Sequence, residues 1–326
     1  MSSLGVASIV AYMQSVFAEL TPILGRFGGV SVIALALALA FHLAKLTARA
    51  RAWHNIVRAA YPHDRLRFRD TLAAYLSGVG VNAVAPARAG ELVRLGLLRR
   101  QLPSSKFSGL VSTIFAESPC DALLSALLVG LALAFGFGAG VPGAPFVLAP
   151  VAQHPLIAAL VACTVAGAVG WLGFRLRARI RSFLVEARRG MAIFARPGAY
   201  FRGVASMQVL GWAFRVASVY WFMVAFHVPA SLGAALVVIA VQLLVGVVPL
   251  TPGGAGSQQA MLVVALSAGA ATVLGFGIGM QAATVLCELV LGAGSLIFLT
   301  GSLRWRRLVS AADPVVAAPA KLAVTD

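Results

Sequence analysis

NAVAPARAGELVRLGLLRR, residues 82–100, continues an apolar run yet crowds Pro86, Arg88, Gly90, Glu91 and Arg94 into nine positions. Proline and glycine interrupt helices, and every ionised side chain is costly in hydrocarbon. How this stretch meets the bilayer fixes the orientation of everything after it. That there is a bilayer follows from composition. The 326 residues are 60% hydrophobic and 11% charged, with a mean hydropathy of +0.92. Several apolar runs reach the roughly 20 residues that a helix needs to cross a membrane. The short alternating segments of a transmembrane β-barrel do not occur. No basic leader precedes the first apolar run, so a cleavable signal peptide is not expected.

A net charge of +16 in a soluble protein would suggest nucleic acid, but here the distribution excludes it. Of the 26 Lys and Arg residues, 24 lie in four blocks, 45–69, 88–106, 175–202 and 304–321. Loops rich in Lys and Arg face the cytoplasm and touch anionic lipid. Residues 1–27 are expected to hold an interfacial amphipathic helix, with Ile9, Met13, Val16 and Leu20 on one face. Residues 28–46 form the first span, which ends in the first basic block. The N-terminus is therefore outside and the C-terminus cytoplasmic, as in a multi-pass protein of a bacterial plasma membrane.

Were residues 70–93 a full span, the block 94–106 and every later basic block would change sides. The economical alternative is a segment that enters from the cytoplasm, breaks and returns. One half-helix covers about 70–84, the break lies near Asn82 to Gly90, and a second half-helix runs to about 101. Irregular backbone at membrane depth is tolerated only where protein or a wet cavity satisfies it. Residues 107–136 then cross outward, 137–152 form an uncharged external loop, and 154–174 cross inward. Residues 175–203 read as a basic cytoplasmic linker, and 304–326 as a disordered cytoplasmic tail.

From 203 to 303 the only charges are Arg215 and Glu288. Residues 204–227 cross outward, and 279–302 cross back. Between them, 230–250 and 257–276 flank the turn VVPLTPGGAGSQQ. These arms are either two spans or a second hairpin from outside, and the lack of Lys or Arg near Thr251 favours the hairpin. The expected fold is all-α and polytopic, with about five full spans and two broken re-entrant hairpins, or seven spans and one hairpin. The first choice has the layout of an inverted repeat, with halves 28–174 and 204–303 inside one domain of residues 28–303. Transporters built this way hold substrate near the midplane, between broken helices.

The chemistry concentrates where the charges are deep. Arg88, Glu91 and Arg94 are three apart and share a helical face. With the free N–H groups of a helix that starts at the break, they suit a phosphate; an interfacial hairpin with snorkelling arginines is the bland alternative. Glu117 and Asp121, four apart, lie about 15–21 Å into the third helix at 1.5 Å per residue, with Arg88 and Arg215 as candidate partners. Arg215 and Glu288 can also pair with each other. The deep set then counts three positive charges, Arg88, Arg94 and Arg215, against four negative ones, Glu91, Glu117, Asp121 and Glu288. The excess carboxylate hints at proton coupling. Thr251, Gly253, Gly254, Gln258 and Gln259 form an uncharged second site, or a tight turn. Three cysteines buried in apolar runs and five scattered histidines give no disulfide framework. No metal, cofactor or nucleotide-binding motif is expected either.

Taken together, the ordered motifs resemble the flippase-like family typified by the transmembrane region of lysylphosphatidylglycerol synthases. The family's proline–arginine–glycine–glutamate–arginine pattern corresponds to Pro86, Arg88, Gly90, Glu91 and Arg94. Its glutamate–aspartate pattern corresponds to Glu117 and Asp121, and its Thr-Pro-Gly-Gly-x-Gly turn to Thr251–Gly256. Ser118 stands where the family often has arginine, and Gln259 where it often has glutamate. The aminoacyl-transfer domain of the full synthases has no counterpart, so lipid aminoacylation is not implied. The resemblance implies translocation of a phospholipid, a polyprenyl-linked sugar or a hopanoid-type lipid. A non-transporting partner of a lipid-synthesising enzyme and a membrane enzyme using Glu117 and Asp121 are the alternatives.

Overall fold

The computed structural model describes residues 29–85, 89–132, 191–247, 256–266 and 268–301. Among them every regular element is helical. Helix α1 runs Val32–Ala60 and α2 Phe68–Val84; α3 runs Ala89–Arg99 and α4 Phe107–Ala132. A 3-10 turn (Ala192–Ala195), a helical turn (Pro197–Tyr200) and a π-turn (Phe201–Ala205) lead into α5, Ser206–Ala225. Helices α6 (Leu232–Val247), α7 (Ser257–Ala265) and α8 (Ala270–Thr300) follow.

Local chemistry sets several of these limits. The hydroxyl oxygens of Ser31 and Ser231 accept from the N–H groups of Ala34 (3.5 Å) and Ala234 (3.1 Å), capping α1 and α6. Gly301 closes α8 with φ +68°, a left-handed value that favours glycine. Pro119 sits inside α4 and removes one backbone donor between Glu117 and Asp121.

Helices α1, α4 and α8 contain 29, 26 and 31 residues and are apolar enough to cross a membrane. Their outer faces are apolar too. Leu123 and Leu127 on α4, and Leu286, Val290 and Phe298 on α8, are each more than half exposed. Stripes of this kind on a water-facing surface would drive association, whereas in a bilayer they are the lipid-facing surface. The protein is an all-α, multi-pass membrane protein.

The residues group into two compact units. One takes α1 up to Ala44, α4 from Ser125, α5 from Ala213, all of α6 and α7, and α8 up to Val285. The other takes α1 from Lys45, all of α2 and α3, α4 up to Leu124, α5 up to Trp212, and α8 from Leu286. Each unit thus holds parts of four long helices and one pair of shorter ones.

The stretch 82–100 folds as its composition suggests: α2 ends at Val84, and α3 begins at Ala89. The two helices pack antiparallel, because Gly78 meets both Gly90 and Arg94, while Asn82 meets Gly90. A Cβ on Gly90 would fall on the Gly78 carbonyl oxygen and 2.7 Å from Asn82 Oδ1. Only glycine lets the backbones approach so closely. Asn82 Oδ1 accepts the Gly90 N–H at 2.8 Å, so one donor freed by the break is satisfied by the preceding helix.

Two boundaries differ from the sequence-based expectation. Helix α1 continues fourteen residues past 46 to Ala60, through much of the first basic block. A charge block ends a span only where its side chains face water. Here Arg49 turns to carboxylates, and Arg51 lies 5.0 Å from the centre of the Phe68 ring. The arm expected over 257–276 is divided as well. Helix α7 is nine residues long, and α8 starts at Ala270. Nine residues rise about 14 Å, half of a roughly 30 Å hydrocarbon core. The expected helix 6–24, loop 137–152, span 154–174, most of the linker and the tail lie outside the described residues.

A buried charge network in the second unit

Pairs spaced four apart on three helices build the site: Arg49 and Trp53 on α1, Glu117 and Asp121 on α4, Gln208 and Trp212 on α5. That spacing stacks each pair on one helical face. Arg49 Nη2 lies 2.9 Å from Asp121 Oδ2 and 3.6 Å from Glu117 Oε1. Trp212 Nε1 donates to Asp121 Oδ1 at 3.0 Å, and Gln208 Nε2 donates to Glu117 Oε1 at 3.2 Å. Gly211 brings the α5 backbone against the stem of Arg49. Glu117 and Gln208 are buried. The Arg49 and Asp121 side chains keep 23% and 29% of their surface exposed.

Arg94 forms a second centre. Its guanidinium sits 4.7 Å from the centre of the Trp53 ring and 5.4 Å from that of Tyr75. It also pairs with Glu91 at 2.5 Å. A desolvated cation over an aromatic face gains up to about 2 kcal/mol. Trp53 is fixed in turn by donating Nε1 to Thr113 Oγ1 at 3.0 Å. The Tyr75 hydroxyl feels the charges of Arg49 and Glu117 as well as those of Arg94 and Glu91. The two centres are therefore one network.

Of the expected site residues, Glu91, Arg94, Glu117 and Asp121 come together here. Arg94 is not a snorkelling residue: it is 6% exposed, inside a core that includes Trp53, Tyr75, Leu95 and Leu98. The arginine beside Glu117 and Asp121 is Arg49, which the charge rule had assigned to a surface block. Among the described residues the deep set then holds three positive groups, Arg49, Arg94 and Arg215, and four negative ones, Glu91, Glu117, Asp121 and Glu288. Ser118 is exposed and bonds back to Ile114 O at 3.2 Å, so it takes no part in the cluster. Arg88 lies outside the described residues. Glu288, on α8, is half-buried, and its carbonyl oxygen would be 2.7 Å from a Cβ on Gly80.

The first unit carries a mostly neutral set. Arg215 Nη2 donates to Gln242 Oε1 at 3.0 Å, and Gln242 Nε2 lies 3.8 Å from Met280 Sδ. One residue on, Gln281 Oε1 accepts from Gln259 Nε2 at 2.7 Å. Gln259 Oε1 accepts the Gly256 N–H at 2.7 Å, so this side chain satisfies a donor at the start of α7. Gln258 is half-buried, and Thr251, Gly253 and Gly254 lie outside the described residues.

Sequence reasoning missed Arg49, Trp53, Tyr75, Gln208 and Trp212. The available signal was period: Leu46, Ala50, Trp53 and Val57 carry an apolar face through the basic block, which marks a continuing helix.

No curated protein and no solved structure matches the chain. The profile of the family described as Lysylphosphatidylglycerol synthase TM region matches residues 2–292, nearly the whole sequence. On that match, and with the helical membrane fold and the clustered motif residues in view, the chain belongs to the family of the lysylphosphatidylglycerol synthase transmembrane region.

Proposed function

We propose that the protein carries a lipid with a polar or anionic headgroup from one leaflet to the other, while the acyl chains stay in the bilayer. The family relates the chain to membrane lipids. The single observation that carries the finer reading is the Arg49–Glu117–Asp121 cluster within long apolar helices. Each charge near the membrane centre costs about 2.5–3.5 kcal/mol on insertion scales. Apolar side chains of similar volume would pack the same helices without that cost. A polar path for a headgroup is a function that needs such groups.

In this reading α2–α3 is a hairpin from the cytoplasm and α6–α7 its inverted counterpart from outside. The N-terminus is external, and the membrane is a bacterial plasma membrane. The headgroup meets Arg88 and the Arg49–Asp121 edge on one path, and the Thr251–Gln259 turn with Gln258 and Arg215 on the other. Glu91 and Arg94 hold the hairpin in place. Exchange is passive or linked to a proton. Phospholipids, polyprenyl-linked lipids and hopanoid-type lipids are the candidate substrates.

The test is purified protein in liposomes containing a trace of acyl-labelled fluorescent phosphatidylglycerol. An impermeant reductant bleaches about half of the label in protein-free vesicles. Bleaching of nearly all of it, reduced by Asp121→Asn, is the expected result. Bleaching that stops at half with native protein overturns translocation of this lipid, and chemical turnover of the lipid would instead make the protein an enzyme.

A further inference from the structure

Helix α1 is longer than the membrane it crosses. Its 29 residues rise about 43 Å, against a hydrocarbon core of roughly 30 Å. Val32 and Ile33 begin it and are 76% and 77% exposed, so that end belongs in lipid. The surplus of about 13 Å therefore lies at the other end, toward Ala60. Headgroups fill about 5–7 Å of it, and a tilt of about 20° shortens the rise by only about 3 Å. The loop that follows Ala60 stands in water, beyond the headgroup layer.

That loop, residues 61–67, is tied to a second one. Asp64 Oδ2 accepts from Ser104 Oγ at 2.5 Å, which joins it to residues 100–106, between α3 and α4. Each loop is also braced internally. The Asp64 N–H bonds to Tyr61 O at 3.4 Å, and the Ser105 N–H and hydroxyl both donate to Leu102 O, at 3.0 and 2.8 Å. The joined loops expose Arg65, Arg67, Arg100 and Lys106 against the one carboxylate of Asp64, a surplus of three positive charges.

A second basic set has different neighbours. Arg196 and Arg202 are exposed close in sequence to Phe194 and Phe201, which are 41% and 66% exposed. Ile193, Tyr200 and Val204 of the same segment share a core cluster with Ala52 and Ile56 of α1, below the loops. Exposed aromatic rings interleaved with arginines are the pattern of a membrane interface. The joined loops expose no aromatic ring. Their cations are held on a braced surface, and such preorganisation favours a protein partner, whereas a fluid leaflet gains nothing from it.

We propose that the joined loops 61–67 and 100–106 are a docking surface for an acidic segment of a soluble protein on that side of the membrane. The proposal does not depend on which lipid the protein handles.

The test uses the full chain in phosphatidylcholine nanodiscs, with a labelled peptide of alternating glutamate and serine as the probe and empty nanodiscs as the baseline. Native protein should bind the peptide, and the affinity should fall as salt rises from about 0.01 M to about 0.1 M, where the screening length shrinks to about 10 Å. Arg65→Gln, Arg67→Gln and Arg100→Gln together should weaken binding by about tenfold, the sum of three exposed ion pairs. Arg196→Gln with Arg202→Gln should leave it unchanged. No binding by native protein above the baseline overturns the proposal, whether or not the variants fold. Equal weakening by the two sets of substitutions overturns it as well, since any basic surface would then serve. In a parallel measurement, protein is purified from vesicles holding phosphatidylglycerol and phosphatidylcholine in equal amounts. The phosphatidylglycerol it retains should depend on Arg196 and Arg202; dependence on Arg65, Arg67 and Arg100 instead would place the loops in the leaflet and overturn the protein-docking role.

Discussion

Replacing Arg49 by glutamine should destabilise the protein, and most of the loss should come from what is left behind. The substitution strips Asp121 of a partner at 2.9 Å and Glu117 of one at 3.6 Å, while Trp212 and Gln208 remain bonded to them. Removing one member of a buried pair costs about 3–5 kcal/mol, because the other charge stays uncompensated. Arg49 and Asp121 are each about a quarter exposed, and an incompletely buried pair loses less, which reduces the figure to about 2–3 kcal/mol. At about 2–4 °C per kcal/mol, the apparent Tm should fall by roughly 5–10 °C. The assay is heating of detergent-purified protein followed by size exclusion at a fixed scan rate, since unfolding of such a protein is a kinetic measurement. The double-mutant cycle with Asp121→Asn decides the cause. On the Arg49→Gln background, Asp121→Asn removes the stranded charge and should recover part of the loss, whereas in native protein it should only destabilise. Arg49→Gln melting with the native protein, or Asp121→Asn costing the same on both backgrounds, refutes the reasoning.

Gly90→Ala should part α2 from α3, because the new methyl meets the Gly78 carbonyl and the Asn82 amide; a loss of more than about 1–3 kcal/mol is expected, read as apparent Tm, and an unchanged Tm would refute the close approach. Gln259→Glu keeps an acceptor for the Gly256 N–H and adds negative charge at a helix start, but it gives up the donor to Gln281 Oε1, so it should cost about 0.5–1 kcal/mol. Gln259→Leu should cost about 1–2 kcal/mol in the same assay, and the reverse ranking would show that the capping bond is not what the residue supplies.

The fold was legible wherever backbone chemistry leaves marks in composition. Pro86, Gly90 and the charges around them announced the break between α2 and α3. Apolar runs announced α1, α4, α5 and α8. The end of α7 left a weaker mark, since only Ser267 and Gly269 interrupt the apolar run there, and the break lies about ten residues earlier than the sequence suggests. The site was half legible. Glu117 and Asp121 stood out because isolated charges in apolar runs demand partners. Which partner they have was not, because the charge rule sorts arginines by neighbourhood along the chain, and Arg49 belongs by sequence to a basic block and by space to the interior. Trp53 and Tyr75 carried no sign of their role, since an aromatic residue in a membrane helix reads first as packing.

The crossing of α2 and α8 limits how the site can change shape. A Cβ on Gly80 would lie 2.7 Å from the Gly292 Cα, so main chain rests on main chain there with no side chain between. Small residues let two helix backbones approach this closely, and close van der Waals packing then holds the pair. The broken pair and α8 are thus held together at this crossing, and any bending of α4 or α5 is to be sought at Pro119 or in the π-turn before α5, where a rung of the helical ladder is already missing or stretched.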